Sequence, residues 1–498
     1  MILIIGALLR LVLLPFALPS LSQDELVTGY DSWCLSLNFH DHHGVFLPFM
    51  PEAFGDWTSP LINYISLPVL KIMGLSEYAT RLPVSILGIA SIYLFYVFIL
   101  HCLGNKQTAL IASFLFATAP FAISLSRWAI PPSTVPFALL LFLNSFFWAL
   151  KKPSNMRFVI AGISAVVVVY SYPTMKLFFP PILLLLFVIY FNDIKWKWLP
   201  GGLLFIAFVS PLYYLALRYP EIYNVRFRSI ALSASNEPLM QGFITRYIGY
   251  FTPYFYFGRG DEFMLHHVPG FGSIHEFLAF FSYAGLAAVI ANGFKRLNFM
   301  DHKLSIFLLL VFLMAPIPAS LTIHKYTLLR NIHTVLLMLV FAVIGIHFML
   351  LNMAKLKVQK LLLYTVIIII SISTLNFSYY YFRQYKYDAQ VDYHYGVKEV
   401  FAYLKDNEEK FTKVEINTSL DDDKGINEPY IYYLFYNKIV PGSYNTNTMT
   451  AHLGKYYFTT VNSDSLKDVS PVFVFPFGKD GLSYKIYGNT DGVYVVTK

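Results

Sequence analysis

Charged side chains are scarce in this sequence. Asp, Glu, Lys and Arg together make up 13% of its 498 residues, against about 25% in a soluble globular chain. The deficit excludes an ordinary soluble domain and points to a polytopic membrane protein. Cysteine is scarcer still: Cys34 and Cys102 are the whole complement, which excludes a disulfide framework. No internal repeat or low-complexity segment stands out. The N-terminus lacks the basic first region of a signal peptide, and Arg10 interrupts its apolar core, so it is expected to be a membrane span.

Apolar surface is what the chain has in abundance, with 56% hydrophobic and 18% aromatic residues. Apolar runs of about 20 residues, enough to cross a hydrocarbon core of about 30 Å, recur over the first three quarters. They predict eleven spans, centred near residues 11, 92, 116, 141, 165, 185, 208, 283, 312, 342 and 370. Basic residues crowd alternate connections: Lys106; Lys151, Lys152 and Arg157; Lys195 and Lys197; Lys295, Arg296 and Lys303; Lys355, Lys357 and Lys360. The short connections between them carry only Arg127, Lys176, Lys325 and Arg330. By the positive-inside rule the first set is cytoplasmic. The N-terminus is then cytoplasmic too, and residues 20–81, 218–272 and everything after about 380 lie outside. Much of the net charge of +8 is this topology signal, so it is no argument for nucleic acid. Cys34 falls outside and Cys102 near the cytoplasmic end of a span, so they are not expected to pair.

After the last span the composition shifts. Residues 396–406 (GVKEVFAYLKD) have the pattern of an amphipathic helix, and KVEIN, YYFTTV, PVFVF, YKIYG and GVYVVT read as short strands. GNTDG between the last two suits a hairpin turn. The expected architecture is a mainly α, polytopic membrane bundle over residues 1–380, followed by a small extracytoplasmic α/β domain over 381–498.

The stretch SLSQDELVTGYDSW, residues 20–33, places two carboxylates directly after the first apolar run. Ser22-Gln23-Asp24-Glu25 has the spacing of a capping box, in which the Glu side chain returns to the cap's backbone N–H. Two acids in a first helical turn also suit the helix dipole. One acid satisfies the box, which leaves Asp24 unexplained. In a helix, Asp24, Thr28 and Asp31 share a face, an acidic stripe at the rim of the bundle.

An apolar first span followed by an acidic pair opening a long outer loop resembles the GT-C superfamily of membrane glycosyltransferases. The resemblance is to the branch of protein O-mannosyltransferases and the lipid A aminoarabinose transferase. Further stretches agree in order: residues 40–88, which include Arg81-Leu82-Pro83; SRWAIPPS (126–133); YSYPTMKLFFPP (170–181); GRGDEFMLHHVPGFG (258–272); PIPASLTIHKYTLLRNIHT (316–334); and residues 378–404. The resemblance implies transfer of a sugar, with mannose weighted by the family, from a polyprenyl-phosphate carrier to a protein, lipid or glycan hydroxyl. It implies inversion at the anomeric carbon, chemistry at the outer face, and membrane lipids as surroundings. The first acid of the pair, which matches Asp24, takes the catalytic role, with Glu25 beside it.

Such a transfer needs a base within hydrogen-bond reach of the acceptor proton and cations where the leaving phosphate develops charge. Arg suits phosphate because its fork holds two oxygens. Arg81, Arg127, Lys176, Lys325 and Arg330 are the outer cations; the alternative for each is a lipid headgroup, and for Arg81 a structural tie between loop and span. Asp261 and Glu262, with His266 and His267, form a second polar cluster suited to positioning sugar or acceptor. His and carboxylate are metal-ligand types, and HDHH at 40–43 could join that cluster around a divalent ion. The spacing matches no ligand pattern, so no metal or other cofactor is expected. The rival class is a transporter or flippase for a lipid-linked sugar. Transporters carry polar groups at mid-membrane depth and often repeats, whereas here the polar clusters gather at one face.

Overall fold

In a computed structural model, residues 1–258, 261, 263–353, 358–418, 428–459, 466, 470–477, 482–488 and 492–497 are described. The chain divides into two compact units. One comprises residues 1–12, 56–61 and 84–379, the other residues 13–55, 62–83 and 380–498.

The first unit is helical. Seven helices among the described residues are long and apolar enough to span a membrane: Glu77–Leu103, Pro131–Lys151, Pro173–Ile194, Trp196–Arg218, His302–Ser320, Leu328–Met353 and Gln359–Arg383. They coincide with the expected centres at 92, 141, 185, 208, 312, 342 and 370. The centres near 11, 165 and 283 fall on shorter apolar helices, Ile2–Leu11, Asn155–Val169 and Leu278–Gly293. The run near 116 is split into Lys106–Thr118 and Pro120–Leu125. Pro120 supplies no N–H and cannot continue the first helix, which leaves carbonyls near its end without helical partners. Arg10 answers them. Its guanidinium is fully buried and donates to Ala117 O at 3.0 Å, Phe116 O at 3.4 Å and Gly6 O at 3.1 Å. That accounts for a charge inside the first apolar run. Elsewhere helices Leu278–Gly293 and Leu328–Met353 cross at Gly285 and Gly345, where a Cβ on either would strike the other's backbone. Small residues permit such close crossings in lipid.

The second unit holds a six-stranded sheet. Its strands are β1 (Lys413–Asn417), β2 (His452–Leu453), β3 (Tyr456–Thr459), β4 (Phe473–Phe477), β5 (Leu482–Gly488) and β6 (Val493–Thr497). The order is β2-β3-β1-β6-β5-β4, with β1 parallel to both β3 and β6 and the other pairs antiparallel. The five expected strands and the amphipathic helix, observed at Val397–Asp406, are therefore present. The GNTDG turn lies mostly outside the described residues.

Most of the long loop, residues 20–55 and 62–81, belongs to the same unit as this sheet. Helix Gln23–Asn38 contributes Leu26, Val27, Tyr30 and Cys34 to the same buried cluster as Val400, Phe401, Val414, Ile416, Tyr430 and Leu434. The expectation of a loop appended to the bundle differs for a physical reason. A short sheet with one amphipathic helix has too little apolar surface of its own, and the loop helix completes its core.

Helix Gln23–Asn38 approaches its neighbours at Gly29, where an added Cβ would lie 2.5 Å from Thr80 Oγ1 and 3.1 Å from Phe435 Cε2. Gly29→Val is therefore expected to overpack this contact and cost about 1–3 kcal/mol. A lowered thermal midpoint of the full-length protein in detergent checks it, and an unchanged midpoint would contradict the packing described.

Candidate functional site

The acidic pair divides its labour. Helix Gln23–Asn38 starts with the capping box read from the sequence, Glu25 Oε2 accepting from Ser22 N at 3.0 Å. The same carboxylate meets Arg81 in a two-pronged pair, Nε to Oε1 at 2.8 Å and Nη2 to Oε2 at 2.8 Å, with both side chains at 0% exposure. Arg81 Nη2 also donates to Ser20 O at 2.5 Å. Glu25 and Arg81, candidates for catalysis and substrate binding in the sequence, thus spend their charges on each other and on the backbone that begins the helix. A charge pair this deep survives only with such geometry, because each ion has given up its hydration. Asp24, one residue earlier, is exposed.

The stripe of Asp24, Thr28 and Asp31 is only partly open. Thr28 and Asp31 are buried. Asp31 Oδ1 accepts from His42 N at 2.9 Å and contacts His42 Nδ1 at 2.6 Å. Burial alone would lower the His42 pKa, but the charge and hydrogen bond of Asp31 raise it overall. His43 Nε2 abuts the Glu52 carboxylate. Burial pushes Glu52 up, and His43 brings it below the usual carboxylate range. Burial and the neighbouring Asp31 hold Asp41 above that range. The rings of His42 and His43 lie 4.0 Å apart. His42, His43 and Glu52 present ligand-type atoms all within 4.8 Å of one another. The sequence reading set HDHH beside residues 258–272, whereas these histidines find a third group within their own loop. Glu52 has no signal in the sequence because the eight residues between it and His43 are irregular backbone with no periodicity to announce the fold-back.

In the first unit, Asp261 serves as a cap. It is nearly buried, and it accepts from Leu328 N, the first residue of Leu328–Met353, and from Phe263 N at 2.9 Å. His266 Nδ1 lies 3.1 Å from its Oδ1. Burial pushes the Asp261 carboxyl up, but His266 and the amide donors bring it below its ordinary value. A carboxylate at a helix start is favourable for the dipole and the unpaired N–H groups alike. Glu262 lies outside the described residues.

Arg330 stands two residues into that helix, just before a kink at Asn331 (φ −130°, ψ 20°). Its Nη1 donates to Thr322 Oγ1 at 3.1 Å, and it acts electrostatically on Arg226, Tyr172 and Asp261. Burial and the charges of Arg330 and Arg226 push the His324 imidazole down to about 4, so it is neutral near pH 7. Phe263 stacks edge-on with His324 at 5.0 Å and tilts against His266 at 4.9 Å. Asp261, His266, His324, Arg330 and Arg226 therefore form one mixed cluster with cationic excess. Arg226 and His324 escaped the sequence reading because neither occurs in a basic run.

The remaining cations have other duties. Arg127 is fully buried, and its Nη1 donates to Arg10 O at 2.9 Å and Leu9 O at 3.1 Å. It thereby caps the C-terminal end of helix Ile2–Leu11, where a positive charge is favoured. Lys176 lies in the first turn of Pro173–Ile194 and interacts electrostatically with Asp56. Lys325 is exposed, with its ammonium 5.7 Å from the Tyr326 ring.

Residues 58–214 match a family described as dolichyl-phosphate-mannose-protein mannosyltransferase. No curated protein matches the chain in sequence. In structure it is similar to ArnT from Cupriavidus metallidurans bound to undecaprenyl phosphate, with a TM-score of 0.59 at 10% identity, over 97% of this chain and 96% of that one. The apo form of ArnT gives 0.56 at 12% identity, over 96% of each chain. The oligosaccharyltransferase AglB from Archaeoglobus fulgidus, in complex with an inhibitory peptide and a dolichol-phosphate, gives 0.52 at 14% identity, over 87% of this chain and 63% of that one. At these identities the likeness is one of fold.

Removing one partner of a buried ion pair strands the other. Arg81→Met is expected to cost about 3–5 kcal/mol, and Glu25→Gln with Arg81→Met should recover part of that loss. Thermal unfolding of the single and double variants checks it. Additive losses would show that the pair is not coupled.

Proposed function

We propose that this chain, whose fold is that of ArnT and AglB, is a membrane glycosyltransferase of the GT-C type that transfers a sugar from a polyprenyl-phosphate carrier to an acceptor hydroxyl. The observation that carries the reading is the asymmetry of the acid pair. Glu25 is consumed by Arg81 and the helix cap, while Asp24 is exposed on the same turn. In this reading Asp24 is the general base. It takes the acceptor O–H proton, the acceptor oxygen bonds to the anomeric carbon from the face opposite the carrier, and the carbon–phosphate oxygen bond breaks with inversion. The electron pair leaves on the phosphate. The transition state resembles that of glycoside hydrolysis, with positive charge spread over the sugar ring.

The leaving phosphate is assigned to the cationic cluster of the first unit. Arg330 and Arg226 supply the positive charge, as departing oxyanions require. Neutral His324 can donate a hydrogen bond without adding charge. Lys176 is a further cation for the carrier, and Asp261 and His266 hold the helix start that presents Arg330. Glu25, Arg81 and Arg127 are positioning residues, because their polar atoms hold backbone or one another. The basic connections support a cytoplasmic N-terminus and an extracytoplasmic sheet-bearing unit in this reading. Mannose is the sugar named in the matched family's description, and a protein hydroxyl is the first acceptor to test, ahead of lipid and glycan.

The experiment is transfer by the purified full-length protein, reconstituted in liposomes with radiolabelled polyprenyl-phosphate mannose and candidate acceptors. Labelled product is expected, and Asp24→Asn should lower turnover by about 10²–10⁴-fold, the usual worth of a positioned base, while carrier binding persists. Arg330→Gln should weaken carrier binding more than acceptor binding. Translocation of the carrier without product, or wild-type turnover by folded Asp24→Asn, would overturn the reading.

A further inference from the structure

We infer that His42, His43 and Glu52 form a binding site for a first-row divalent metal ion of the zinc class, built into the loop that follows helix Gln23–Asn38. Three ligand-type side chains converge there: the donor atoms all lie within 4.8 Å of one another. A tetrahedral zinc ion with ligands at about 2.0–2.1 Å needs them about 3.3 Å apart, so small side-chain rotations close the shell. Two imidazoles and one carboxylate are a donor set that suits zinc and its transition-metal neighbours, while magnesium and calcium prefer oxygen alone.

The second observation is the support behind His42. Its Nδ1 lies 2.6 Å from the Asp31 carboxylate, and its backbone N–H donates to the same oxygen at 2.9 Å. A metal-bound histidine usually gives its other ring N–H to a carboxylate, which fixes the tautomer and raises ligand basicity. Here that arrangement leaves Nε2 as the nitrogen for the ion, with Tyr430 Oη 3.4 Å away. Asp31 is itself buried and held on a helix, so the aim of His42 is set by regular structure rather than by the loop.

The surroundings favour a cation as well. Asp41 and Glu428 act electrostatically on both histidines, and Glu428 also acts on Glu52. An ion there would offset several carboxylates at once. The site is reachable: the His42 side chain is at 0% exposure, but those of His43 and Glu52 are at 24% and 21%. Three protein ligands leave one position of a tetrahedron to water. Bound metal would pin residues 42 to 52 as a closed loop, so its binding energy would add to the stability of this unit.

The test does not depend on glycosyl transfer. Full-length protein without an affinity tag of histidines is purified in detergent, incubated with zinc, desalted and measured by elemental mass spectrometry, with thermal unfolding alongside. About one zinc per chain is expected, with a thermal midpoint lowered by chelator and restored by zinc. His43→Gln and Glu52→Gln should lose the ion. Asp31→Asn, which removes only the support, should weaken zinc affinity by about 10–100-fold. Cobalt soaked into the chelated wild-type protein should give the visible bands of a tetrahedral site, a readout that needs no variant to fold. Substoichiometric zinc with no midpoint shift and no cobalt bands, or full metal content in His43→Gln, would overturn the site.

Discussion

The fully buried pair of Glu25 and Arg81 is the constraint around which the second unit is arranged. Two ions without solvent are tolerable only if each satisfies the other. The two-pronged geometry, the cap to Ser22 and the bond to Ser20 O do so. Because both oxygens of Glu25 are occupied, the start of helix Gln23–Asn38 has one direction, and the exposed side of its first turn belongs to Asp24. Adjacent acids thus differ in surroundings, Glu25 buried and Asp24 exposed. The same helix, by burying Leu26, Tyr30 and Cys34, joins the sheet's core and aims Asp31 at His42.

In the membrane unit the polar problem is different. Backbone carbonyls released by helix ends and by Pro120 have no water to turn to in lipid. Arg10 and Arg127 meet this demand with guanidinium donors to carbonyls. Asp261 meets the mirror-image demand for amides at the start of Leu328–Met353. Arg330 and Arg226, by contrast, lie together beside a neutral His324.

The spans, the strand-bearing tail and the capping box were legible in the sequence because each rests on local periodicity or spacing. Hydropathy over about 20 residues marks a long span whatever its neighbours, and a strand such as β1 alternates polar and apolar side chains within five residues. Short helices such as Asn155–Val169 were legible as apolar but not in length. The helix stop depends on neighbours as much as on composition.

By itself the sequence determined the membrane-embedded class, the acidic helix start at residues 22–25, and the small α/β tail. All of these follow from interactions between residues a few positions apart. The tertiary structure alone decided that Glu25 belongs to Arg81, that Asp31 backs His42, that Glu52 returns to His43, and that helix Gln23–Asn38 shares a core with the tail. Those partners are separated by nine to several hundred residues, and nothing in a local pattern reports which of many possible long-range contacts buries the most apolar surface while leaving no charge unpaired.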